Sequence, residues 1–119
     1  MSELATRDQI LCAGKRRFRE VEVPGWGAFR IRSMTELERS RFEASILDKK
    51  GQVASGKLVD QKCRLIVLCV VDENGDPLLT NNDIDTLRQV DSAFTNKLVE
   101  AIQEHCGFSD RDWEEITKN

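Results

Sequence analysis

The amino-acid sequence predicts an α+β fold, mostly α-helical, with an N-terminal β-hairpin followed by a helical bundle. Three observations carry that expectation. Arg19-Glu20-Val21-Glu22-Val23 and Phe29-Arg30-Ile31-Arg32 alternate apolar and polar residues around Pro24-Gly25-Trp26-Gly27, the pattern of two strands and a turn. Further on, Val59, Cys63, Ile66, Val67 and Val70, and then Phe94, Leu98, Ile102 and Cys106, recur at helical spacing. Capping residues and glycines punctuate these stretches. At 119 residues the chain fits one domain, spanning 1–119, and is long enough to bury a core without disulfides or a metal.

Each element follows in order. Residues 4–15 read as a short first helix with a weak apolar stripe (Leu4, Ile10, Leu11, Cys12) and Gly14 near its end. The hairpin occupies about 18–33. Setting Val23 against Phe29 and Val21 against Ile31 puts both pairs on one face. Glu22 then opposes Arg30 and Glu20 opposes Arg32 on the other, whereas a slip by one sets valines against arginines. Thr35-Glu36-Leu37-Glu38 has the S/T-x-x-E form of a capping box and opens a helix over about 35–48.

Residues 49–56 are polar and glycine-bearing, a loop. A second long segment, about 57–71, becomes apolar all round toward its end and is expected to form the central, most buried helix. Its β-branched last residues allow a switch into a short strand before Asp72. Asp72-Glu73-Asn74-Gly75-Asp76-Pro77 is a tight turn. Helices over about 80–90, 91–106 and 109–117 follow, with Gly107 ending the second of them and Trp113 and Ile116 on the third.

Composition narrows the function. Apolar residues make up 39% and charged residues 33% of the chain, an ordered domain with a heavily charged surface. The first eight residues have no apolar core and no basic start, so an exported precursor is not expected. The longest apolar run, 65–71, is far too short for a membrane span. Reduced core thiols are the natural reading of Cys12, Cys63, Cys69 and Cys106. A net charge of −3 and a pI near 5.2 argue against nucleic acid as the main partner. The short cluster Lys15-Arg16-Arg17 with Arg19 is followed at once by Glu20 and Glu22 and reads as a solvated helix end.

Reactive constellations are weak. His105 and Cys106 are neighbours on a helix, where adjacent side chains diverge, so a nucleophile–base pair gives way to a core thiol and a boundary imidazole. The cysteines have no C-x-x-C knuckle for zinc. Asp72-Glu73-Asn74-Gly75-Asp76 resembles the start of a calcium loop, but Pro77 stands at the sixth position and Asp83 at the twelfth, where glycine and a bidentate glutamate are needed. Gly25-Trp26-Gly27 is no phosphate loop. No cofactor, metal or small-molecule substrate is expected. What remains is surface: Trp26 at the hairpin tip, Phe29 and Ile31 beside it, and Trp113 near the C-terminus are the candidate partner-binding residues. Each tryptophan is equally able to fold back on its own chain.

The segment Val21-Glu22-Val23-Pro24-Gly25-Trp26-Gly27, then Phe29-Arg30-Ile31-Arg32-Ser33-Met34-Thr35-Glu36-Leu37-Glu38-Arg39 and Phe42-Glu43, resembles phage tail assembly chaperones. These small proteins are encoded just ahead of the tape-measure gene in long-tailed phages and prophages. The stretch from 65 through Leu78 and the ending at 102–109 look similar too. The resemblance implies a chaperone that coats the helical tape-measure protein, tends to self-associate, works in the host cytoplasm and is absent from the finished virion. It brings no catalytic residues. Gly25 stands where an acidic residue is common in that family, so a carboxylate contact there does not carry over. The groove for a captured helix is expected between the hairpin and the 57–71 helix. Two rivals remain: a structural tail or tail-completion protein that stays in the particle, and a small DNA-binding regulator using 80–106 as a helix-turn-helix. The second sets Lys97 against Glu100 and Glu104, a poor match to phosphate.

Overall fold

The computed structural model describes residues 4–13, 15–45 and 60–108. The expected loop at 49–56, the first residues of the 57–71 segment, the helix at 109–117 and Trp113 lie outside them. Among the described residues the order is α1 (Arg7–Cys12), β1 (Phe18–Val23), β2 (Gly27–Arg32), α2 (Glu36–Ser45), α3 (Gln61–Cys69), β3 (Val70–Val71), α4 (Ile84–Leu87) and α5 (Ser92–Cys106). A 3-10 turn, Asn81–Asp83, leads into α4. The three strands form one antiparallel sheet in the order β1-β2-β3, so the fold is α+β and mostly helical.

The hairpin forms where expected, with a register two residues from the expected one. Val21 faces Phe29, Val23 faces Gly27 and Glu20 faces Arg30, while Glu22 meets Ala28 and Arg32 meets Phe18. The reason lies in the turn. The Trp26 N–H donates to the Val23 carbonyl at 2.9 Å across Pro24 and Gly25, and Gly25 takes φ +90°. Proline followed by a positive-φ glycine is type II turn chemistry. With Gly27 also at φ +118°, the loop closes in three residues instead of five. A shift of two preserves which face each side chain occupies. Val21, Val23, Phe29 and Ile31 therefore still share the face that meets α5.

The capping box that opens α2 is present in both directions. The Glu38 N–H donates to Thr35 Oγ1 at 3.2 Å, and the Thr35 N–H donates to Glu38 Oε1 at 2.9 Å. α3 ends at Cys69 because Val70 turns extended, and β3 then pairs with Arg30 and Ile31 of β2. The following turn folds back so that Pro77 bridges Val71, and Phe18 lies over Gly75. Arg30 stacks on the Phe18 ring, 5.0 Å from its centroid, and donates to the Glu73 carbonyl at 3.1 Å. The outer face of the hairpin is thereby clasped to the turn.

α5 starts with the Asp91 side chain accepting from the Ala93 N–H and ends with Gly107 at φ +79°. The Phe108 N–H reaches the Gln103 carbonyl at 2.9 Å, which completes a Schellman cap and brings Phe108 into the core. The buried side of α5 is Thr95, Leu98, Val99, Ile102 and His105, with Phe94 and Cys106 half-buried at its margins. The sequence stripe thus points slightly off the true centre, because α3 and the hairpin share the helix between them. The main core gathers Ile31, Phe42, Leu65, Ile66, Cys69, Val70, Leu98, Val99, Ile102 and Phe108.

α1 is shorter than the 4–15 stretch, and each of its residues is exposed, including Ile10 and Leu11. The basic cluster after it departs from the expected solvated helix end. It is an extended lead-in to β1 whose arginines pin the hairpin to the helices. Arg16 meets Glu38 at 2.7 Å, Arg17 donates to the His105 carbonyl at 2.7 Å, and Arg19 approaches Glu104 at 3.6 Å.

Candidate interaction surface

The reactive candidates resolve into structural contacts. His105 Nε2 lies 3.1 Å from the Arg17 carbonyl while Arg17 reaches the His105 carbonyl, a reciprocal clamp that occupies the imidazole. Cys106 turns the other way, its thiol 3.8 Å from the Arg32 carbonyl and against Cys69. The hydrogen bond with Cys106, followed by burial, pushes the Cys69 thiol far above the ordinary thiol range, so it stays protonated. Burial likewise raises Cys63. The Asp72 carboxylate accepts from the Asn74 N–H at 2.8 Å and the Asp76 N–H at 3.1 Å, so it organises its own turn. Among the described residues, no group of three or more histidine, cysteine, aspartate or glutamate side chains is placed to hold a metal ion. No helix among them is long and apolar enough to cross a membrane.

The candidate partner-binding residues divide. Trp26, 47% exposed, leans its ring on Phe94 of α5, with centroids 5.6 Å apart and planes at 46°. Phe29 meets the same ring edge-on at 5.3 Å and is half-buried. Ile31 is fully buried in the core, so it presents no surface to a partner in this conformation. Trp26 therefore combines both readings: one side of the indole is anchored on α5 and the other is open. Phe94 completes this aromatic cluster. Its place at the head of the α5 stripe signals a contact, but which strand residues meet it depends on the packing.

One concavity lies elsewhere than the expected groove between the hairpin and the 57–71 segment. It runs between α2 and α3, with the 77–81 segment as its third wall and Arg32 as the hairpin's contribution, and encloses about 510 Å³. Phe42, Val67, Leu68 and Leu79 supply apolar surface; Glu38, Arg41 and Ser45 line it from α2 and Arg64 from α3. From the hairpin Arg32 reaches the groove, donating from Nε to the Leu68 carbonyl at 2.9 Å and lying 3.7 Å from Glu38.

Electrostatics distinguish this groove on an acidic chain. Burial by itself raises the Glu38 carboxyl, but the Thr35 N–H, Arg16 and Arg32 outweigh it and hold the group ionised, below the usual carboxylate range. Its charge is thus matched by Arg16 and Arg32. Arg41 is exposed and Arg64 half-buried, and neither guanidinium has an ion-pair partner among the described residues. Arg64 Nε is buried without a hydrogen-bond partner among the described residues. The clue in the sequence is a lone arginine inside the apolar 63–71 stretch, which is unusual for a helix buried all round.

At the far end of α3, Arg88 grips Asp60 through two bonds of 2.6 and 2.7 Å. Those bonds hold the Asp60 carboxyl low against its own burial. They also explain why Asp60, although it is the N-cap of α3, makes no side-chain cap bond.

No family model matches the chain, and no curated protein matches it. Among solved structures, the chain is similar to the tail assembly chaperone of bacteriophage HK97, with a TM-score of 0.57 and 15% sequence identity. The match covers 82% of this chain and 94% of the other. The chain therefore has a fold like that of the phage HK97 tail assembly chaperone.

Proposed function

We propose that this protein is a phage tail assembly chaperone that binds the tape-measure protein during tail morphogenesis and catalyses no reaction. The fold likeness over nearly the whole of both chains carries the reading. The hairpin-plus-capping-box segment at 21–43 supports it from the sequence side. On this reading the protein acts in the host cytoplasm, is missing from the finished virion and associates with itself. The exposed Ile10 and Leu11 of α1 and the open side of Trp26 favour association with other polypeptides.

The test is co-expression with the long helical product of the gene immediately downstream. That product is expected to become soluble only with this protein and to co-purify with it. Equal solubility with and without it sinks the reading. Finding the protein in purified virions favours instead a structural tail component. Trp26→Ala is expected to weaken the complex by tenfold or more, about 1.4 kcal/mol, the scale of a tryptophan anchor. Unchanged binding removes the hairpin tip from the interface.

A further inference from the structure

We infer that the α2–α3 groove is a seat for one amphipathic helix of another polypeptide, one that carries acidic side chains on either side of a large apolar residue. Three observations lead there. First, the groove is built as a helix-binding surface. Glu38, Arg41, Phe42 and Ser45 on α2 follow the i, i+3, i+4, i+7 spacing of one helix face, and Arg64, Val67 and Leu68 on α3 follow i, i+3, i+4. Two such faces side by side leave a trough into which the ridge of a third helix packs.

Second, the floor is apolar and the walls are cationic. Half-buried Leu68 and Leu79 form the greasy surface above buried Phe42 and Val67, while Arg41 and Arg64 have no ion-pair partner within salt-bridge distance among the described residues. Third, Arg64 Nε is buried and makes no hydrogen bond among the described residues. A part-buried guanidinium with one donor unmet is costly, and a carboxylate that pairs with the accessible part of its fork offsets that cost. The apolar floor favours a polypeptide with a large apolar side chain over a phosphate backbone.

The identity of that polypeptide rests on the chaperone reading above; the chemistry of the seat does not. The probe is a helical sixteen-residue peptide with leucines at i and i+4 flanked by glutamates, titrated by fluorescence polarisation into the full-length protein. Two control peptides replace the glutamates by lysines and the leucines by serines. Each control is expected to bind at least tenfold more weakly. Arg41→Glu is expected to weaken the acidic probe at least tenfold and to narrow or reverse the preference over the lysine peptide. Arg64→Lys is expected to weaken the probe by a smaller factor, because a lysine keeps the charge and loses the fork.

The proposal is overturned if both variants, shown folded by circular dichroism, bind the probe as the wild type does. It is also overturned if a single-stranded oligonucleotide of equal charge binds more tightly than the peptide. A full-length variant with Trp113→Ala and Ile116→Ser that binds the probe over tenfold more tightly assigns the groove to the chain's own C-terminal residues instead. Probe binding without solubilisation of the co-expressed partner leaves the seat standing and removes the chaperone reading. Solubilisation without probe binding removes the seat alone.

Discussion

The two faces of α3 are made from adjacent residues and have opposite fates. On one, Leu65, Ile66 and Cys69 are sealed against α5 and the sheet, with Leu65 fully buried. On the other, Arg64 and Leu68 line a groove, with Val67 at its floor already buried beside Ile84 of α4. Both faces look apolar along the chain, and one arginine is all that separates them in the sequence. Within this domain the difference is that α5 sets Leu98, Val99 and Ile102 against the first face, whereas α2 supplies only one flank of the second. Apolar surface with an internal partner is core. Apolar surface rimmed with unmatched charge is a place for something else.

That contrast can be broken most forcefully at Leu65. Leu65→Ala is expected to cost about 2–5 kcal/mol in urea unfolding, the range for a buried leucine truncated to a cavity. Leu68→Ala, on the groove side, is expected to cost clearly less. Equal losses at the two positions contradict a sealed face and an open one. Next in size is the hairpin that covers the sealed side. Gly27 sits at φ +118°, a conformation that L side chains rarely adopt, so Gly27→Ala is expected to lose about 1–3 kcal/mol although nothing lies within 4 Å of the added carbon. A neutral Gly27→Ala implies that the turn relaxes and the register with it.

A smaller effect sharpens the picture at the start of α3. Arg88 depresses the Asp60 carboxyl below its unfolded value of about 3.9. A depressed folded pKa means that the stabilisation is complete above the unfolded value and is lost as pH falls through the folded one. The stability gap between wild type and Asp60→Asn is therefore expected to be constant near neutral pH and to shrink below about pH 4. A gap that widens in acid rules out the carboxylate–guanidinium grip. The smallest effect is expected at Arg41→Ala, whose urea midpoint should match the wild type, because the exposed guanidinium has no partner to lose among the described residues.

Much of this architecture is legible along the chain because its signals are local. Thr35 and Glu38 sit three apart, and each finds the other's backbone N–H. Gly107 terminates α5 because a left-handed residue is needed one position past the last turn. The alternation in the hairpin decides the faces, and a slip of two leaves them intact. The register was beyond that reach. Cross-strand charge pairs favour one pairing, whereas the positive-φ glycines at 25 and 27 tighten the turn into another. Arg32, freed from Glu20, is used instead at the groove.

The candidate site was less readable. Trp26 is visible as an exposed aromatic between glycines, yet its support, Phe94, comes from sixty-eight positions away. Ile31 has the same local pattern as Phe29, and only the arrival of β3 and α5 buries it completely. The sequence by itself determined the elements, their caps and their apolar faces, because these depend on residues within a turn or two of one another. The tertiary structure alone decided which face would be sealed, where the trough would open and which arginines would have no ion-pair partner among the described residues. Those outcomes depend on how far apart two helices come to rest, a distance that no short stretch of chain encodes.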